Sequence, residues 1–359
     1  MLQKGLATVL LFLTACTHAP LRMTSERRLG DGFFSGLSSR VVDFSHLAGA
    51  DGILCFGTSG GRVYALSAAD GSVRWERDLD GSVDTQPGLG SGKVFVGTSK
   101  GKFYALKSED GGEVWHYDVP GEILGSPYVS GSTAYFAAND GVLYALDAEK
   151  GSLLWRYRRD LPDRMTIHTF AGLFEQKEVV YAAFSDGGVA ALKPGTGEVI
   201  WTKDLPSMDR FSDVTALRVG DEGRVVAGQF DSTLYSLRSG GTSEWSFPNG
   251  GTSVAPISWN EDLIVPMPVN RLAQVDPRTG ERKWTLDVGE TARWSGLALY
   301  GRRLLAATYE GSLYVIDPVA HKVVWTYRFG AAIQGAPVVA AGKIWILTRK
   351  GRLFSLAEK

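Results

Sequence analysis

Residues 141–155 read GVLYALDAEKGSLLW. Val142, Tyr144 and Leu146 alternate with Leu143 and Ala145, a polar Asp-Ala-Glu-Lys-Gly stretch follows, and a second apolar run ends on Trp155. Period-two alternation, a turn and a second β-prone run predict two antiparallel strands joined by a tight loop. One such hairpin is barely stable in water, so its recurrence decides the architecture.

It recurs. Trp75, Trp115, Trp155, Trp201, Trp245, Trp284 and Trp325 follow one another at 40, 40, 46, 44, 39 and 41 residues. Gly71, Gly111, Gly151, Gly197, Gly241 and Gly280 stand four residues before Trp, and His321 holds that place in the seventh copy. Tyr64, Tyr104, Tyr144, Ala190, Ala273 and Tyr314 lie eleven before, and Tyr235 ten before. Pro87, Pro127, Pro256 and Pro337 open several units. A further β-prone run, such as residues 94–97 or 304–308, precedes each hairpin. Four short strands per 40–50 residues predict the blade of a β-propeller. Blades bury their faces only by stacking into a ring.

Seven units carry the Trp, and an eighth, from Gln334 to Leu356, stops with three strands. Three strands would leave an open edge. A segment near residues 28–35, with Phe33 and Phe34 in place of the missing Trp, is expected to close it. The expected fold is all-β: an eight-bladed propeller of four-stranded antiparallel blades closed by an N-terminal strand, with seven blades as the fallback. Two insertions interrupt the pattern, residues 158–170 (RRDLPDRMTIHTF) and 205–217 (LPSMDRFSDVTAL), in consecutive units after the Trp strand. Insertions at matching places of a repeat lie on one face, often the binding face.

Charge excludes one function class. Lys and Arg number 38 against 39 Asp and Glu, so a general attraction to nucleic acid has no support. The two cysteines, Cys16 and Cys55, exclude a disulfide framework. Residues 5–15 form an apolar run after Lys4, too short to span a bilayer and consistent with a signal peptide. Its ending, Leu13-Thr14-Ala15-Cys16, resembles a bacterial lipobox, which implies lipidation of Cys16. Thr17 after the cysteine resembles the sorting signal for the outer membrane, with the protein facing the periplasm. The expected division is a signal peptide at 1–15, a lipidated flexible tether at 16–27 and one propeller domain at 28–359. Cys55 is expected to be a buried strand residue.

Catalytic chemistry finds no constellation. The five histidines have no metal-type spacing, Gly-x-Ser-x-Gly is absent, and Gly-rich stretches sit at strand turns without a following helix. The seven repeated Trp suit packing of blade on blade better than a shelf for a cofactor. The expectation is a protein that is not an enzyme and holds neither cofactor nor metal. The alternatives are a quinone- or ligand-binding periplasmic propeller, or another envelope scaffold.

The Tyr-Ala-Leu and Gly-x-x-x-Trp grammar resembles the PQQ-like propeller repeat over essentially all of the mature chain. Length, lipobox and the second insertion together resemble the BamB family of outer-membrane assembly lipoproteins. Met208-Asp209-Arg210-Phe211-Ser212-Asp213-Val214 is similar to that family's Ile-Asp-Arg-Leu-Ser-Asp-Val motif. Thr215 departs from the family's next acidic position. Met165-Thr166-Ile167-His168 stands where the family has Leu-x-Leu-Arg, with His168 lacking arginine's bidentate reach. The resemblance implies a scaffold that meets the periplasmic domains of a BamA-type barrel protein. It implies partner contacts at Met165, Ile167, His168, Asp209, Arg210, Phe211 and Asp213. Exposed strand edges would also suit unfolded outer-membrane proteins as partners.

Overall fold

The structure is a computed structural model, and it describes residues 20–29, 44–123, 125–159, 172–206, 213–230, 233–250, 253–289, 291 and 293–359. These form eight four-stranded antiparallel sheets. The first blade runs through Ala48–Ala50, Ile53–Gly57, Arg62–Ser67 and Val73–Asp78. The second to seventh repeat this order, each sheet built of four consecutive strands. Second and third strands such as Ile53–Gly57 and Val142–Asp147 are buried almost throughout, because neighbouring blades cover both their faces. Fourth strands such as Leu153–Arg158 alternate and form the rim.

The core is divided as the ring geometry demands. Each of eight hydrophobic clusters bridges two adjacent blades. Phe95 and Phe103 of the second blade meet Phe136 and Tyr144 of the third, and Phe103 stacks on Phe136 with ring centroids 4.0 Å apart. Leu54 and Phe56 of the first meet Trp345 and Leu353 of the eighth, closing the circle. Among the described residues no blade owns a core of its own, so stability resides in the junctions.

The repeated Trp is the junction's fastener. The strand register shifts just before it, as between Ala145 and Leu146, whose partners are Trp155 and Leu153, so Leu154 is the extra residue of a bulge. Bulges re-aim a side chain, and here the indole turns toward the next blade. Trp75 Nε1 donates to Ser108 O at 3.0 Å, Trp115 to Ala148 O at 3.3 Å and Trp155 to Pro194 O at 2.5 Å. Trp201 and Trp245 donate likewise to Ser239 O and Pro277 O at 2.6 and 3.0 Å. The repeat glycine of that next blade then lies flat on the ring. A Cβ on Gly111 would come within 2.6 Å of Trp75 Cε3, and Gly111 holds φ at 72°, a left-handed value costly for other residues.

Closure differs from expectation in its segment. The eighth blade is Val338–Ala340, Lys343–Leu347 and Arg352–Glu358, completed by Leu21–Arg28. That strand occupies most of the stretch expected to be a tether and ends where the closing segment was expected to begin. Leu21 is buried, and Tyr327 Oη donates to its carbonyl. The hydroxyls of Thr24 and Ser25 each lie 2.6 Å from Ser355 Oγ. Phe33 and Phe34 lie outside the described residues. Trp345, from the second strand of the blade, takes the packing role instead, its Cζ3 3.0 Å from where a Cβ on Gly71 would stand.

Candidate functional site

The two insertions are grafted onto an unaltered framework. In a regular unit the segment after the Trp strand makes two backbone bonds to the turn between the second and third strands of its own blade. Leu79 N donates to Gly61 O at 2.8 Å and Val83 N to Thr58 O at 3.0 Å. In the fourth blade Leu205 N donates to Gly187 O at 3.0 Å, and Val214 N to Phe184 O at 3.4 Å. The same two anchors are thus separated by nine positions rather than four. The extra residues leave the ring at Pro206, whose carbonyl accepts from Tyr235 Oη at 2.9 Å, and rejoin it at Asp213.

The first insertion begins at Arg159, which reaches forward into the fourth blade. Its Nε lies 2.5 Å from Asp186 Oδ2, Nη2 donates to Asp204 Oδ1, and its guanidinium stands 5.9 Å from the Phe184 ring centroid. Burial works against the arginine's charge, but the Asp186 and Asp204 carboxylates outweigh it and hold its pKa above the ordinary value. Asp186 Oδ1 accepts from Gly188 N at 2.9 Å. A Cβ on Gly188 would stand 2.3 Å from Arg159 Cζ, so the glycine makes the room. In the first blade this place belongs to Arg62, whose own side chain pairs with Asp78. Gly188 sits opposite Asp204 as Arg62 sits opposite Asp78. The turn from Phe184 to Gly187 therefore holds the start of the first insertion and both ends of the second.

Of the expected contact residues, Asp213 is described. It is fully buried, and its carbonyl accepts from Phe230 N at 2.9 Å. The carboxylate is thus in the protein's interior. Met165, Ile167, His168, Asp209, Arg210 and Phe211 lie outside the described residues, as does Cys16. Sequence reasoning missed Phe230, which is 51% exposed beside Asp213. Its signal was an aromatic in a turn where most other units have polar residues and Gly. Val199 and Ile200, each 45% exposed, and Leu153 and Leu154 add aliphatic surface on the outer strands of the fourth and third blades.

Other chemistry is limited. Among the described residues no group of three His, Cys, Asp or Glu side chains could hold a metal. Cys55 is buried within Ile53–Gly57, and burial pushes its thiol pKa up. A cavity of about 350 Å³ between the fifth and sixth blades is lined by Arg218, Arg224, Asp262 and Lys283 among others. Its charges answer one another: Lys283 Nζ is 2.7 Å from Asp262 Oδ1, and Arg224 pairs with Glu244 and donates to Pro277 O at 2.7 Å.

Comparison with known proteins agrees with the fold. The family profile described as outer membrane protein assembly factor BamB matches residues 33–94, 59–265 and 269–359. Outer membrane protein assembly factor BamB of Burkholderia pseudomallei (strain K96243) is 27% identical over 201 residues, 53% of this chain and 51% of that protein. The chain thus matches about half the length of that curated relative. The crystal structure of BamB from Moraxella catarrhalis superposes with a TM-score of 0.77 at 17% identity, covering 95% of this chain and 98% of that one. A europium-containing methanol dehydrogenase reaches a TM-score of 0.76 at 13% identity, covering 94% and 93%. At such identities structural likeness carries the fold alone, whereas the family profile spans nearly the whole ring. The chain belongs to the family of outer membrane protein assembly factor BamB.

Proposed function

We propose that the protein is a non-catalytic scaffold of outer-membrane protein assembly, lipidated at Cys16 and held on the periplasmic side of the outer membrane. Its partner is the set of periplasmic domains of a BamA-type barrel protein. The observation that carries this reading is the paired graft on the fourth blade: two insertions anchored to one turn while the framework beneath keeps its repeat geometry. Elaboration confined to one place on a repetitive ring suits recognition of a macromolecule. Family membership supplies the process, and Met165, Ile167, His168, Asp209, Arg210 and Phe211 supply the chemistry. Apolar side chains would form the centre of the interface and charged ones its orientation. Asp213 acts from the interior by shaping the second insertion.

The test is binding of the full chain to isolated BamA-type periplasmic domains by titration calorimetry. Ile167→Asp combined with Arg210→Glu is expected to weaken binding at least tenfold with an unchanged unfolding midpoint. Undiminished affinity in the folded double variant would refute the assignment. Association that survives removal of the acyl chain would show that the anchor localises rather than binds.

A further inference from the structure

The ring is electrically lopsided. Residues 291–359, which build the seventh blade and most of the eighth, carry ten Lys or Arg and three Asp or Glu. The closing strand Leu21–Arg28 adds three arginines and one glutamate. With 38 basic and 39 acidic residues in the whole chain, the remainder is correspondingly acidic. Three of the sector's four carboxylates are already engaged. Glu310 pairs with Arg293 at 3.0 Å, Asp317 with Arg303 at 2.7 Å, and Glu26 with Arg352. Arg22, Arg27, Arg28, Arg302, Lys322 and Lys350 are exposed, with no carboxylate at ion-pair distance among the described residues. Met23, on the same outer strand, is 48% exposed.

The strand that carries this charge is also the first part of the chain to join the ring. Cys16 and Leu21 are five residues apart, so the covalent chain can span no more than about 18 Å between them. An acyl chain on Cys16 would therefore bring the eighth blade close to the bilayer. In a closed ring of eight, the blade opposite the eighth is the fourth, which the two insertions flank. Eight strands at about 4.8 Å spacing, plus the central channel, put roughly 40 Å or more between those two rims.

We propose that the outer rim of the seventh and eighth blades is a docking surface for an anionic phospholipid headgroup layer, so that the propeller stands on edge with the fourth blade held away from the membrane. The occupant is a lipid surface because the cations of the two outer strands, Arg22, Arg27, Arg28 and Lys322, are distributed along a rim without a pocket, and because the anchor residue lies five positions from that rim. Cations near an anionic surface add their attractions, so several on one rim orient a molecule that one acyl chain holds only marginally. The anchor is taken from the reading above, while the charge asymmetry stands without it.

The test uses the full lipidated chain in phosphatidylcholine vesicles with or without phosphatidylglycerol, plus a headgroup-attached quencher. A fluorophore is placed at Lys322→Cys or, separately, at Val199→Cys. Strong quenching at 322, dependent on phosphatidylglycerol and relieved by high salt, with little at 199, is the expected result. Arg22→Glu, Arg27→Glu and Arg28→Glu together should reduce quenching at 322 severalfold. Arg302→Glu with Lys350→Glu, which lie in turns between inner strands, should leave quenching at 322 nearly unchanged. Equal quenching at both positions, or indifference to phosphatidylglycerol, overturns the proposal and leaves the rim to an acidic protein. No barrel protein is present, so docking through the insertions stands or falls separately.

Discussion

Arg159 and Asp186 are 27 positions apart and belong to different units, yet Arg159 Nε lies 2.5 Å from Asp186 Oδ2. The aspartate side chain is wholly buried and the arginine's is 14% exposed. Two neighbouring units are thereby locked at the place where the first insertion departs. Arg62 in the first blade bonds Asp78 at 2.5 Å, the position that Asp204 fills in the fourth, so the bond from Arg159 Nη2 to Asp204 is the corresponding one. The graft has taken over a contact that the repeat ordinarily makes internally.

Arg159→Ala should cost about 3 kcal/mol, because it removes the cationic partner of a wholly buried carboxylate. Denaturant unfolding measures that loss. Limited proteolysis should show faster cleavage between residues 160 and 171 than elsewhere, and Arg159→Lys should restore only part of the protection, since lysine cannot reach both Asp186 and Asp204 in arginine's forked geometry.

This bond explains why the fold was more legible than the site. Seven Trp at near-constant spacing announce the ring, and their pattern is visible because each blade repeats the same physical problem. The closing strand is hard to read in the sequence because in LRMTSERR only Leu21 is buried. An outer strand with one apolar anchor has the composition of a tether, and polar residues are what protect an edge. The insertions were visible as breaks in spacing. Their anchors were not, since the pairing of Arg159 with Asp186 depends on Gly188 leaving room. Asp213, which the family resemblance implies as a partner contact, stands in a polar motif, and its burial comes from the inner strand that follows it.

The junction glycines and the one exception to them form a second test. Gly151 has φ 69° and would place a Cβ 2.5 Å from Trp115 Cδ2. His321 occupies the equivalent place in the seventh blade with φ 51°, its ring centroid 4.8 Å from that of Trp284. Trp284 Nε1 there donates to Gln274 Oε1 in its own blade rather than to the next. Gly151→His should therefore destabilise by roughly 3 kcal/mol through left-handed strain and overpacking. His321→Gly should stay within about 1 kcal/mol, since relief of strain offsets a lost aromatic contact. Thermal unfolding of the two variants compares them directly.

Ring closure is predicted to depend on one side chain more than on its ion pair. Leu21→Ala should cost about 2–3 kcal/mol from a cavity beside Leu356 and Phe354. Glu26→Gln, which removes a partly exposed pair with Arg352, should cost under about 1 kcal/mol. Hydrogen exchange should show the eighth blade opening first in Leu21→Ala, with amides of Arg352–Glu358 losing protection before those of the fourth blade.

Acid should loosen the hairpins of several blades together. Asp70 accepts the Ser72 amide and hydroxyl, and these bonds hold its carboxyl down to about 2. Asp147, Asp276 and Asp317 accept amides from Lys150, Arg278 and Ala320 in the matching turns, and their pKa values are lowered for the same reason. A carboxyl whose folded pKa lies below its unfolded 3.8 stabilises the fold fully above 3.8. That contribution is lost as pH falls through the folded value. The carboxylate contribution to Tm should thus be flat between about pH 7 and 5 and decline between about pH 4 and 2. Asp70→Asn, Asp147→Asn, Asp276→Asn and Asp317→Asn combined should lower Tm at neutral pH and flatten that decline. A decline of unchanged steepness in the fourfold variant would place acid sensitivity elsewhere, with the rim pairs such as Arg62 and Asp78 the next to examine.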